Sequence, residues 1–95
     1  MRIIIAGAGA VGTHLAKMLS DEQHDIVLMD ANEERMANLD SNFDLMTIAA
    51  SPTSISSLKD AGVADADLFV AVTPEESTNI TACMLAHSLG AKKTV

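Results

Sequence analysis

Two hydrophobic periods alternate along this chain. Short continuous apolar runs recur as Ile3-Ile4-Ile5-Ala6, Ile26-Val27-Leu28-Met29 and Leu68-Phe69-Val70-Ala71-Val72. Runs of this length bounded by turn residues read as buried strands, and they predict strands over 2–6, 25–30 and 68–72. A third strand in chain order is expected within Phe43 to Ala49. Between the runs, apolar residues fall at helical spacing. Val11, Leu15, Met18 and Leu19 predict a helix to about Glu22. Asn32 can cap a helix to about Leu39, with Met36 and Leu39 inward and Glu33 and Glu34 in the favourable first turn. Ser54 to Ala61 predicts a short helix with Ile55 and Leu58 buried and Gly62 as its stop. Thr73-Pro74-Glu75-Glu76 offers an N-cap threonine, proline at the first helical position and an acid three residues after the cap. That last helix carries Ile80, Cys83, Met84 and Leu85 and ends at Gly90, and Thr94-Val95 opens a fifth strand.

Strands alternating with helices imply right-handed crossovers and a parallel sheet. The expected fold is therefore α/β, a Rossmann-like doubly wound parallel sheet of strand order 3-2-1-4-5 in a single domain over residues 1–95. Ligands of such sheets bind outside the carboxyl ends of the strands where the order reverses, here between the first and fourth strands. The loops that reach this crevice are 7–12, 30–32, 49–53 and 72–76.

One of those loops carries chemistry. Gly7-Ala8-Gly9-Ala10-Val11-Gly12 follows the first strand and opens the first helix. An acid, Asp30, stands 18 residues beyond Gly12 at the end of the second apolar run. Gly-x-Gly-x-x-Gly in that context, with such an acid, is the dinucleotide-binding fingerprint. Gly7 permits the turn off the strand, Gly9 lets a pyrophosphate approach the backbone, and Gly12 lets the helix pack closely. The pyrophosphate would lie on free N–H groups at the positive end of the helix dipole. Asp30 can accept bonds from ribose hydroxyls and would repel a 2′-phosphate, favouring NAD(H) or an adenine nucleotide over NADP(H); a turn residue capping the next helix is the plainer reading. The other candidate contacts are Ala31, Arg35, Ala50, Ser51, Val72, Thr73 and Glu76. Arg35 pairs with a Glu or reaches toward adenosine. Thr73 and Glu76 suffice as a capping box, yet their loop faces the crevice, so a nucleotide or cation contact from either stays open. Asn79, one turn in, is expected to brace that loop.

Composition removes several alternatives. Six Lys and Arg against thirteen Asp and Glu give a net charge of −7, which repels a nucleic-acid backbone. A single cysteine, Cys83, excludes an intrachain disulfide and a cysteine-rich metal site, and it reads as a small core hydrophobe. His14, His24 and His87 lack zinc spacing. No apolar run reaches the roughly 20 residues that cross a bilayer, and the chain starts directly in a strand rather than in a secretory-type segment. A soluble cytoplasmic domain without direct membrane insertion is expected. The sequence carries no nucleophile elbow, no Walker Gly-Lys-Ser/Thr and no placed acid–base pair.

Several segments in register resemble the N-terminal nucleotide-binding subdomain of TrkA-type potassium-transport regulators, the RCK or KTN domains. They are the glycine segment, His24-Asp25-Ile26-Val27-Leu28-Met29-Asp30, the Glu34-Arg35 helix start, Lys59-Asp60-Ala61-Gly62-Val63-Ala64-Asp65-Ala66-Asp67, Val70-Ala71-Val72-Thr73, and Asn79 with Ala82-Cys83. Ala10 stands where many relatives carry a larger polar residue, and Ala50-Ser51-Pro52-Thr53 replaces a Gly-Asp-x-Thr type of loop. The resemblance implies a non-catalytic sensor that binds NAD(H), or ATP/ADP, and controls a membrane-embedded potassium transporter subunit from the inner face of the cell membrane. It also implies a homo-oligomer, a dimer or a larger ring. Relatives continue past the fifth strand, so the fold is expected to be cut short at its C-terminal end, leaving the fourth strand near an open edge. The rival reading is an NAD-dependent oxidoreductase cofactor domain lacking its catalytic domain, and the third is a scaffold with a vestigial site.

Overall fold

The computed structural model describes residues 1–37 and 46–95. Four strands, β1 (Arg2–Ala6), β2 (Asp25–Met29), β3 (Met46–Ile48) and β4 (Leu68–Ala71), form one sheet in the order β3-β2-β1-β4. All three pairings are parallel, with Ile4 opposite both Val27 and Phe69. The helices are α1 (Ala10–Ser20), α2 (Glu33–Ala37), α3 (Ile55–Asp60) and α4 (Glu76–Ser88), with a 3₁₀ turn at Val63–Asp65. The expected inward Leu39, and residues 43–45 of the expected third strand, lie outside the described residues.

Strand alternation divides the core into two layers. Ile4, Ala6, Val27, Met29 and Phe69 face Leu58 of α3 and Ala82 and Ala86 of α4. Ile3, Ile5, Ile26 and Leu28 face Ala16 of α1, with Leu15, Leu19 and Met36 packed alongside. Two helices thus serve each face, and the central strands β1 and β2 are buried on both faces, as a parallel sheet requires. The fifth strand of the expected order is present only as a start. Thr94 makes an isolated parallel bridge to Phe69. Phe69 N–H donates to Lys93 O at 2.8 Å and Ala71 N–H to Val95 O at 3.0 Å. The outer edge of β4, expected to be near-open, is therefore covered by Lys93–Val95.

The helical faces correct the sequence reading. Val11 and Met18 are exposed, and α1 meets the sheet through Gly12 and Ala16. The apolar residues of α4 do span more than one stripe: Ile80 and Met84 are exposed, as a contact of this helix with a second copy would need, while Leu85 packs on the core and the fully buried contacts are Ala82 and Ala86. Ile55 is exposed as well, leaving Leu58 as the buried residue of α3. Small residues four apart bring a helix backbone close to the sheet and leave no depth for a large side chain there. The Asn32 cap forms as expected, its Oδ1 accepting from Arg35 N–H at 3.1 Å, and Ser54 Oγ adds a cap the sequence reading did not name, accepting from Ser57 N–H at 3.4 Å. The capping box expected at Thr73 does not form. α4 begins at Glu76 with Glu75 as its N-cap and no side-chain cap bond, so Thr73 and Glu76 make no capping box.

Candidate functional site

The carboxyl ends of β1, β2 and β4 converge on the glycine loop. Gly7 N–H donates to Met29 O at 2.7 Å, and Val72 N–H donates to Ala6 O at 2.9 Å. Gly7 has φ of +121°, and a Cβ on it would lie 2.9 Å from the Val72 carbonyl carbon. Only glycine accepts both the dihedral and the contact. A Cβ on Gly12 would lie 1.7 Å from Gly7 O, so the turn and the first helical residues touch backbone to backbone. Gly9 differs from both. It is extended, with φ −75° and ψ −165°, and nothing lies within 4 Å of the position its Cβ would take. Packing requires glycine at 7 and 12 and does not require it at 9.

Gly9 is also the N-cap of α1 and offers the helix no side-chain bond. The first-turn N–H groups of α1 have no intrahelical acceptor, because an α-helix leaves its first donors unpaired. No acid stands in that first turn. The positive end of the dipole and its donors thus face outward beside a vacant glycine position.

Asp30 joins this loop to a neighbouring cavity. The residue is 8% exposed. Its Oδ2 accepts from Ala8 N–H at 2.7 Å, and its Oδ1 accepts from Asn32 N–H at 2.8 Å. Arg35 Nη1 stands 3.5 Å from Oδ2. Each carboxylate oxygen retains acceptor capacity after these bonds. The cavity beside it holds about 340 Å³ and is lined by Asp30, Ala31, Arg35, Ser51, Pro52, Thr73, Pro74, Glu75 and Thr78. Two carboxylates and one guanidinium line it, so its walls disfavour an added negative charge.

Five expected site residues therefore meet at the cavity: Asp30, Ala31, Arg35, Ser51 and Thr73. Gly7 to Gly12 adjoin it through the Ala8–Asp30 bond without lining it. Ala50, Val72 and Glu76 do not line it either. Ala50 N–H donates to Ile48 O at 3.1 Å, and Val72 serves as the wall against which Gly7 turns. Pro52, Pro74 and Glu75 lie in the expected loops 49–53 and 72–76 without having been singled out as contacts, and Thr78 lies outside them. Placing the start of α4 at Thr73 moved Glu75 into a helical turn; the start at Glu76 frees Glu75 for the cavity rim, where its Oε2 accepts from Thr78 Oγ1 at 3.4 Å. Ser51 shapes its own turn, with its Oγ 2.8 Å from Thr53 Oγ1. Among the described residues no group of three or more His, Cys, Asp or Glu is placed to hold a metal ion.

The sequence profile of the TrkA-N domain matches residues 3–95. The chain belongs to the TrkA-N domain family. It is 46% identical over 89 residues to the Trk system potassium uptake protein TrkA of Haemophilus influenzae, which covers 94% of this chain and 19% of that protein. It is 38% identical over 92 residues to a TrkA homolog of Pyrococcus abyssi, covering 97% of this chain and 40% of that protein. The TrkA-N chain thus spans between a fifth and two fifths of these relatives. Among solved structures it is similar to the Kef C-terminal domain of Shewanella denitrificans in its AMP-bound form. That match has a TM-score of 0.80 and 22% identity, over 99% of this chain and 56% of that one. It is also similar to a short chain dehydrogenase/reductase family oxidoreductase of Aeromonas hydrophila, with a TM-score of 0.68 and 19% identity over 92% of this chain and 51% of that one. At these identities the two structures establish the Rossmann-type fold and nothing finer. No helix among the described residues is long and apolar enough to cross a membrane.

Proposed function

We propose that this TrkA-N domain is a non-catalytic nucleotide sensor of a potassium uptake system. It binds NAD(H) or an adenine nucleotide, ATP or ADP, with the pyrophosphate on the first turn of α1 and the adenosine ribose beside Asp30. The vacant space at Gly9 carries this reading. Glycine there serves no contact within the chain, whereas a pyrophosphate resting on the backbone needs that position free of a side chain. The acceptor-only Asp30 suits ribose hydroxyls and opposes a 2′-phosphate. The potassium role comes from the relatives, whose name is that of a Trk system potassium uptake protein. The Kef domain of the same fold is described in an AMP-bound form, which supports the adenine-nucleotide class.

Such a domain acts by population shift. A nucleotide that binds one conformation of the assembly more tightly biases the pore subunit that the assembly contacts. The domain works at the cytoplasmic face as a homo-oligomer. Ile80 and Met84, exposed and four residues apart on α4, supply an apolar contact for self-association. The oxidoreductase alternative shares the fold but needs a catalytic domain to complete its site. One calorimetric panel of NAD⁺, NADH, NADPH, ATP and ADP, run beside a turnover assay, separates the readings. A sensor binds NADH or ADP more tightly than NADPH and turns nothing over. Hydride transfer or hydrolysis above background contradicts it, and so does NADPH bound as tightly as NADH.

A further inference from the structure

One side chain of α4 holds the loop that precedes the helix. Asn79 Oδ1 accepts from the Thr73 N–H at 3.0 Å and from the Thr73 hydroxyl, while Asn79 Nδ2 donates to the Thr73 carbonyl at 3.0 Å. A side-chain amide thereby pairs with both main-chain groups of a single residue, as a neighbouring strand would. Its orientation is dictated by those partners, because a reversed amide would set donor against N–H and acceptor against C=O. The Thr73 hydroxyl has one proton, and both acceptors around it, Asn79 Oδ1 and Glu75 O at 3.2 Å, belong to the protein. The same oxygen accepts from Glu75 N–H at 3.3 Å. A ligand group that meets this hydroxyl must therefore donate.

Thr73 and Glu75 line the cavity beside Asp30, and Asn79 does not. The anchorage of α4 is elsewhere, through the fully buried Ala82 and Ala86. We propose that Asn79 is a positioning residue for the nucleotide cavity: its clamp on Thr73 sets the wall formed by Thr73 and Glu75 and keeps that wall an acceptor surface for hydroxyl and amino groups. The proposal rests on the nucleotide reading above.

Asn79→Asp tests it almost isosterically. The introduced carboxylate keeps an acceptor for the Thr73 N–H but sets a second acceptor oxygen against the Thr73 carbonyl. Protonation restores a donor there. The full chain is titrated calorimetrically with ADP and NADH at pH 7.5 and pH 4, after thermal melts at both pH values establish folding. Wild type, Asn79→Asp and Asn79→Ala are compared at each pH. At pH 7.5 Asn79→Asp is expected to bind at least tenfold more weakly than wild type, and to regain affinity relative to wild type at pH 4, where a carboxyl of ordinary pKa is substantially protonated. Asn79→Ala is expected to bind weakly at both. Wild-type affinity in either variant at pH 7.5, or a loss in Asn79→Asp that ignores pH, would overturn the assignment. Loss of the folded state in both variants would make Asn79 structural and overturn it too. A wild-type chain that binds neither ADP nor NADH brings down the nucleotide reading, and the assignment with it.

Discussion

Three glycines of one motif answer to three different constraints. Gly12 is fixed by the contact its Cβ would make with Gly7 O, so Gly12→Ala should cost about 3 kcal/mol or more of stability, read by urea unfolding. Gly9 meets no such contact and its extended dihedrals suit any residue, so a side chain there is compatible with folding. Asp30 was legible as a candidate ribose acceptor or as a turn residue capping the next helix, but its bond to the glycine loop was not. It supplies the acceptor for Ala8 N–H and Asn32 N–H. Asp30→Ala leaves those donors without it, and should cost about 1–3 kcal/mol of stability by denaturant unfolding, in addition to any nucleotide affinity. Two groups among the described residues depart from their ordinary pKa. The Arg2 N–H on Asp67, and then Lys92 at 3.2 Å, hold the Asp67 carboxyl below its ordinary value of 3.8. A group with a depressed folded pKa contributes stability above its unfolded pKa and loses it as pH falls through the folded one. Acid melts should therefore show Asp67→Asn less pH-sensitive below about pH 4 than wild type. Burial pushes the Cys83 thiol up, so it stays protonated at neutral pH, and alkylation there should be slower than for a free thiol.

At the scale of elements, strands were easier to read than helix faces. Ile3-Ile4-Ile5 and Ile26-Val27-Leu28 are buried on both sides, so an unbroken apolar run was the right signal. Helix faces were legible only in part. Leu15, Leu19 and Leu85 pack against the core as their spacing suggests, but the fully buried contacts of α1 and α4 are Gly12 with Ala16 and Ala82 with Ala86, and small residues carry little weight in a hydrophobic pattern. Packing at that distance makes a sharp prediction. Ala86→Leu should destabilise by about 1–3 kcal/mol through overpacking. Met84→Gln, on the exposed side of the same helix, should stay within about 0.5 kcal/mol of wild type. Both are read by the midpoint of chemical unfolding. The start of α4 was misplaced for a related reason: Thr73-Pro74-Glu75-Glu76 satisfies a capping pattern, but Asn79 takes the threonine out of the helix and into the loop.

At the scale of the whole molecule, the order β3-β2-β1-β4 follows from strands alternating with helices, and the reversal beside β1 brings the loops after β2 and β4 together around the cavity beside Asp30. The loops that build the crevice were readable from topology. The residues that line it depend on where α4 starts and how the 51–54 turn folds, which no periodic pattern encodes. The exposed Ile80 and Met84 predict self-association: sedimentation at tens of micromolar should show dimers or larger species, and Ile80→Glu combined with Met84→Glu should shift them toward monomer. The central claim is that the vacant position at Gly9 belongs to a nucleotide pyrophosphate. Isothermal titration of ADP and NADH into wild type and Gly9→Val, with both proteins melted in parallel, tests it most directly. The account predicts similar melting temperatures without ligand, binding by wild type, and no detectable binding by Gly9→Val. Equal affinity in the two proteins would contradict it.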